Sequence, residues 1–227
     1  DGIGYLHGKN IRERAMDLIS IAHPKFRTWL IEEAKNMNLI YRDQAFIPGE
    51  KGEYPEDLET YRMTEKGLSV FFRPVKISDE PLLKDFFYSL TDECMYRRFI
   101  STRRDMPHTR LQKFVIIDYT KEMVILATIE HDNKETVVGM GQYLIDEGTN
   151  TAEVAFVVRD DYQERGIGKE LLSYLTFLAK KNGLHGFTAE VLMDNKQMLH
   201  LFKTMGFALE KRLDAGVYEI TMSFREK

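Results

Sequence analysis

Two places along this 227-residue chain carry residues whose types and spacing suit chemistry. One is Gln163-Glu164-Arg165-Gly166-Ile167-Gly168. Its two glycines let backbone N–H groups come close to a ligand, and N–H groups that open a helix lie at the positive end of its dipole. Such a turn suits an anion, for instance a pyrophosphate. The other is Glu153, the only carboxylate inside the apolar run Ala152–Arg159 (AEVAFVVR). Partial burial there would raise its pKa toward that of a useful general base, whereas a solvent-facing or arginine-paired glutamate is the plainer reading. A dinucleotide fingerprint does not fit, because the position for its third small residue holds Leu171. A nucleotide P-loop does not fit either, since Lys169 is followed by Glu170 rather than Ser or Thr. Six residues alone also describe an ordinary tight strand-to-helix turn.

The flanking sequence supplies the elements that would position them. Residues 152–159 are β-branched and apolar enough for a buried strand, and Ile167, Leu171, Leu172, Leu175, Leu178 and Ala179 recur at helical spacing before Asn182-Gly183. Upstream, Ile11–Ile21 and Phe26–Met37 read as helices interrupted at His23-Pro24, and residues 48–59 read as a linker or surface loop. Two short helices bury little apolar area and must pack on something else. From about Gly67 the chain reads as one α/β unit: a strand at 68–75, helices near 82–90, 91–98 and 107–114, then strands at 123–130 and 136–145 joined by a hairpin at Asp132-Asn133. After the glycine turn come a strand at 188–192, a helix at 195–205, and strands at 207–211 and 217–224 around Ala215-Gly216.

Composition narrows the class. Hydrophobic residues make up 43% and charged residues 30%, as in an ordinary globular protein. A net charge of −4 argues against a dedicated nucleic-acid binder, and no apolar run is long enough to span a membrane. One cysteine, Cys94, precludes an intrachain disulfide and fits a reducing, cytoplasmic setting. No residue cluster suggests a metal site. The chain begins at Asp1 without a signal peptide, as expected of a piece of a longer protein.

The turn matches Q-x-x-G-x-G, and Asn195-x-x-Met198 followed by Met205-Gly206-Phe207 matches a second motif at consistent separation. With the element order, these strings resemble the GCN5-related N-acetyltransferase (GNAT) family. The resemblance covers about 160 residues. It implies an α/β (α+β) GNAT acyl-CoA N-acyltransferase fold, with a mixed central sheet flanked by helices, over residues 67–227. The strings Met95-Tyr96-Arg97-Arg98-Phe99, Ile117-Asp118-Tyr119 and Ala152–Asp160 are similar to the GNAT domain of bacterial Pat-type protein lysine acetyltransferases. What this implies is an acetyl-CoA-dependent N-acetyltransferase acting on a protein lysine, for instance of an acyl-CoA synthetase, with Glu153 as catalytic base. The cofactor-binding residues it implies are Phe156, Val157 and Val158 beside the pantetheine arm, with the Val158 N–H at the thioester carbonyl. Gln163, Glu164, Arg165, Gly166, Ile167, Gly168 and Lys169 are expected around the pyrophosphate, and Asn195, Met198 and Phe202 on the far side. One departure stands out: many GNAT enzymes carry a tyrosine as general acid where this chain has Phe202, and phenylalanine cannot donate a proton.

Residues 1–66 are expected to form a helical extension plus linker. The strings at residues 8–15 (GKNIRERA) and 21–27 (IAHPKFR) resemble the C-terminal end of the acetyl-CoA hydrolase/4-hydroxybutyrate CoA-transferase family. This implies an upstream CoA-transferase domain in the same parent protein. The glutamate that carries CoA in that family has no counterpart here, and His7 and His23 are expected in packing and turn roles, as is His200. Two other functions stay open: an acetyl-CoA-sensing regulatory module without turnover, which Phe202 favours, and a small-molecule amine acetyltransferase. Arg97, Arg98, Arg103, Arg104 and Arg110 make the segment 91–113 basic, either to meet an acidic partner or as a solvated helix face.

Overall fold

One strand pairing decides how this molecule is used: β5 (Thr151–Val158) and β6 (Gly186–Leu192) run parallel, yet they pair only at Ala152↔Phe187 and Glu153↔Thr188. The computed structural model describes residues 4, 6–48, 50–131 and 134–224. Among these, eight strands form one sheet in the order β1-β2-β3-β4-β5-β6-β8-β7. β2 (Ser69–Pro74), β3 (Glu122–His131), β4 (Lys134–Asp146) and β5 are joined antiparallel, and β8 (Val217–Ser223) lies antiparallel between β6 and the edge strand β7 (Ala208–Asp214). The hairpin expected at Asp132-Asn133 lies outside the described residues.

Both sheet faces are covered. α6 (Ile167–Lys181) crosses from β5 to β6 and buries Ile167, Leu171, Leu172, Leu175 and Leu178 against Phe72, Ile125, Val154 and Phe156. Its apolar residues recur every three or four positions, and each wholly buried leucine contributes roughly 1.5–3 kcal/mol. The close approach needs Gly141 on β4, where a Cβ would meet Leu175 Cδ1 at 2.8 Å. On the opposite face α3 (Glu80–Ser89), α4 (Asp92–Phe99) and α5 (His108–Val115) bury Leu83, Phe86, Phe87, Met95, Leu111 and Phe114 against Val124, Leu126, Met140 and Val157. α7 (Lys196–Thr204) lies beside the β5–β6 region, and Asn195 caps it by accepting the Met198 N–H at 3.1 Å.

The N-terminal helices form for local reasons. Asn10 and Glu13 make a reciprocal capping box on α1 (Ile11–Ile21), with bonds of 2.9 and 3.0 Å. The extended backbone at Ala22 and His23 then precedes Pro24, which starts α2 (Pro24–Asn36), two residues before the expected Phe26. His23 serves the turn, since its Nδ1 accepts the Lys25 N–H. The pair buries Met16, Ile19, Ile31 and Ala34 in a small core that also touches Ile77, so the helices do pack on the rest of the molecule. Gln112 of α5 fixes the following segment by accepting the Ala45 N–H at 2.7 Å and donating to the Asp43 carbonyl.

One strand was not expected. β1 (Thr60–Met63) pairs antiparallel with β2 through a turn over residues 64–68 in which Gly67 takes a φ of +78°. The boundary expected between residues 66 and 67 falls inside this hairpin, so the sheet begins at Thr60.

Candidate active site

Beyond Glu153 and Thr188 the backbone of β5 leaves that of β6. The split this opens is lined by Val154, Ala155, Phe156, Val191, Asn195 and Phe202, with Arg97, Arg98 and Glu190 at its charged side. N–H directions alternate along a strand. The Arg159 N–H donates to the Val138 carbonyl of β4 at 2.9 Å, so the N–H groups of Val158 and Phe156 point the other way, into the split. The Phe156 and Val158 side chains pack on the α6 face, whereas that of Val157 belongs to the core under α3–α5.

The split leads to the glycine turn. Glu164 (φ +57°) and Gly166 (φ +86°) both adopt left-handed backbone, which reverses the chain so that α6 starts at Ile167. Among the described residues no side chain caps the N-terminus of that helix. The turn is tied to the strand by Gln163, whose Nε2 donates to the Val158 carbonyl at 3.2 Å and lies 3.7 Å from Cys94 Sγ. Gln163 is thus a brace, turned inward, and Ile167 contributes its buried side chain to the core. Arg165 is exposed and stacks its guanidinium over Tyr162. Lys169 is ion-paired to Glu65 at the tip of the β1–β2 hairpin, where a Cβ at Gly166 would lie 3.1 Å from Thr64 Cβ. Nothing in the sequence signalled this contact, because it joins residues 104 apart in a strand that was not expected.

Across the split, α7 presents half-buried Met198 and wholly buried Phe202, and Phe202 meets Phe156 edge-to-face at 6.2 Å. The Asn195 Oδ1 is committed to the helix cap. His200 is exposed.

The acid–base groups differ from expectation. Glu153 is exposed, not partly buried, because its side chain alternates away from Ala152 and Val154 onto the α3–α5 face, where only half-exposed Leu144 flanks it on β4. Burial raises the pKa of another carboxylate, Glu122, on β3 and two strands away in the same cross-strand row (Glu122↔Leu144↔Glu153). Desolvation pushes its pKa up to about 7. A glutamate at the first position of an apolar strand is the only sign of it in the sequence. The basic segment is largely neutralised within itself: Arg97 pairs with Glu93, Arg103 with Asp105 and Arg104 with Asp92, while Arg110 donates to the carbonyls of Arg103 and Asp105. Arg97 and Arg98 both line the split, and Arg98 is not ion-paired within the segment. The Arg98 Nη2 donates to Gln142 Oε1 at 2.6 Å, and its buried Nε has no hydrogen-bond partner among the described residues.

A strand split that exposes backbone donors, followed by an uncapped helix N-terminus, is what a thioester arm ending in a pyrophosphate requires. Residues 84–207, more than half the chain, match the acetyltransferase (GNAT) family. The chain belongs to the GNAT acetyltransferase family. Residues 1–34 match the acetyl-CoA hydrolase/transferase C-terminal domain. An acetyltransferase of Pseudomonas aeruginosa is 25% identical over 179 residues, covering 79% of this chain and 93% of that protein. The acetyltransferase Pat of Mycolicibacterium smegmatis is 35% identical over 150 residues, which are 65% of this chain and 43% of Pat, so the chain spans less than half of that relative. Among solved structures, the GNAT domain of S. lividans PAT shares 27% identity with a TM-score of 0.69, over 76% of this chain and all of that domain.

The expected GNAT fold and the likeness to Pat-type enzymes are therefore borne out, and the GNAT family uses acetyl-CoA as its acyl donor. In this GNAT enzyme the residue at the usual tyrosine place, Phe202, is 1% exposed and offers no proton to the split. Cys94 is no substitute, since burial foremost pushes its thiol up to about 12. Among the described residues no group of three or more His, Cys, Asp or Glu side chains is placed to hold a metal. No described helix is long and apolar enough to cross a membrane.

Proposed function

We propose that this GNAT enzyme transfers the acetyl group of acetyl-CoA to a protein lysine, with Glu153 as general base and the Gln163–Gly168 turn holding the CoA pyrophosphate. The observation that carries this reading is the divergence of β5 and β6 between the uncapped α6 N-terminus and Glu153. At about 3.3 Å per residue the strand runs roughly 17 Å from Val158 to Glu153, which leaves room for an extended pantetheine arm. The arm completes the sheet through the Val158 and Phe156 backbone. Of these two N–H groups, that of Phe156 lies three residues from Glu153 and that of Val158 five. The Phe156 N–H is therefore the better oxyanion donor, and the Val158 N–H serves the arm.

The acceptor ammonium enters on the face of the sheet where Glu153 and Ala155 point and gives its proton to Glu153 through an intervening water. The free amine then attacks the thioester carbonyl, and the tetrahedral oxyanion is held by the Phe156 N–H. The intermediate's nitrogen gives up its second proton to water as collapse expels the CoA thiolate, and the thiolate takes up a proton from that water, because a thiol of pKa about 8.5 leaves without a dedicated acid; the Glu153 carboxyl then releases its proton to solvent. Arg165 and Lys169 add positive charge beside the pyrophosphate, and Met198 and Asn195 wall the far side. Support for a protein lysine acceptor comes from the similarity to Pat. The match of residues 1–34 supports a parent chain with an acetyl-CoA hydrolase/transferase-like domain.

One observation favours a second reading, an acetyl-CoA sensor that does not turn over: a buried phenylalanine stands where a proton donor is usual. Labelled acetyl transfer to purified acyl-CoA synthetases separates the two. Transfer that Glu153→Gln abolishes, with acetyl-CoA affinity kept within a few-fold, supports catalysis. Tight acetyl-CoA binding without transfer supports the sensor, and equal turnover in the variant removes Glu153 as the base.

A further inference from the structure

We infer that the outward sides of α1 and α2 seat the acetyl-CoA hydrolase/transferase-like domain of a parent chain, so that the two helices form a wedge between that domain and the acetyltransferase. This rests on the reading of residues 1–34 as part of such a domain.

The inward side of the wedge is already used. Met16, Ile19, Ile31 and Ala34 close the small core with Ile40 and reach Ile77 ahead of α3. Tyr41, just after α2, meets both the Arg12 guanidinium of α1, 3.7 Å from its ring centroid, and the His108 ring of α5, at 3.9 Å between centroids. With the Gln112 bonds to Asp43 and Ala45, these contacts fix the helices to α5, so they cannot turn their outer sides inward.

The outward side is apolar as well. Ile11 (68%), Leu18, Phe26, Trp29 (60%) and Met37 are all exposed. At 3.6 residues per turn, Ile11 and Leu18 fall about 20° apart on α1, on the side away from Met16 and Ile19. On α2 the positions of Phe26, Trp29 and Met37 share an arc of about 80°, away from Ile31. A helix with a solvated side is polar there: α3 exposes Lys84, Asp85 and Ser89 beside the single Tyr88. A helix apolar on two sides is built to be covered on two sides. Among the described residues fourteen large apolar side chains are exposed, and six of them, these five with Tyr41, fall within residues 11–41. Such a concentration, unlike single scattered residues, is the mark of an interaction surface.

The occupant follows from the family match. Four of the five residues lie within residues 1–34, which match the acetyl-CoA hydrolase/transferase C-terminal domain. Helices of 11 and 13 residues close no independent core, so in that domain they must pack on the rest of it. The acetyltransferase takes their inward side, which leaves the outward side for the remainder of the domain.

The experiment is hydroxyl-radical footprinting, read by mass spectrometry, on the 227-residue chain and on the parent polypeptide. Trp29 and Met37 should oxidise readily in the chain and several-fold more slowly in the parent, with Phe26 and Leu18 following. Met193 and Phe177, exposed elsewhere on the molecule, should keep their rates. Sedimentation of the same chain sample reads its oligomeric state. Equal oxidation of Trp29 and Met37 in both polypeptides overturns the inference. So does a chain that is already protected and self-associated and that Trp29→Ser returns to a monomer, because the occupant is then a second copy. Failure of the underlying reading looks different: the coding sequence upstream of residue 1 would hold no hydrolase/transferase-like domain.

Discussion

Replacing Glu65 by glutamine should tighten acetyl-CoA binding. Lys169 stands in the first turn of α6, where a pyrophosphate would sit, yet its ammonium is ion-paired to Glu65 on the β1–β2 hairpin. The side chains are 39% and 66% exposed. Such a pair in water is worth about 0.2–1 kcal/mol. If Lys169 must leave Glu65 to meet the pyrophosphate, removing the carboxylate returns that amount to binding, a gain of roughly 1.4- to 5-fold. Calorimetric titration at low salt reads this directly, and the gain should shrink at 0.5 M salt, where exposed charges are screened over a few ångströms. In a Lys169→Met background the Glu65→Gln gain should fall to the residual relief of repulsion between Glu65 and the pyrophosphate. Unchanged or weaker binding by Glu65→Gln would refute the reasoning, because Glu65 would then be orienting Lys169 rather than competing for it.

Other perturbations test the scaffold. Gly166→Ala puts a Cβ 3.1 Å from Thr64 Cβ at a φ of +86°, so thermal melts should show a loss of about 1–2 kcal/mol from the left-handed backbone alone. Displacement of the turn should weaken acetyl-CoA binding roughly tenfold in the same calorimetric titration. Arg73 is buried between Asp79 (2.6 and 3.0 Å) and Glu135 (2.7 and 3.0 Å), so Arg73→Met strands two carboxylates and should cost about 3–5 kcal/mol in urea unfolding. For Glu122 the folded state holds the proton more tightly than the unfolded chain, so the unfolded state binds fewer protons between about pH 4.5 and 7. Stability should therefore fall as pH rises through that window, and Glu122→Gln should flatten this part of the denaturation-versus-pH curve.

The parts of this molecule legible in its sequence are those whose signal is local. The α6 stripe from Ile167 to Ala179, the breaker at His23-Pro24 and the apolar strands β3 to β5 each announce themselves within a dozen residues, and their bounds differ from expectation by one or two positions. The glycine turn belongs to the same class, because Gly166 is needed by its own backbone angle. What escaped depends on pairing at a distance. β1 is four residues of ordinary polarity that become a strand because β2 offers an edge, and with it came the Glu65–Lys169 contact. The apolar run predicts partial burial for Glu153, but the strand is closed on one face only at that position. Its even-numbered positions pack under α6, while at Glu153 the other face is open. Under the proposed role of Glu153 as base, that opening suits a protein acceptor: a carboxylate sealed inside the strand could be reached by no lysine on another protein.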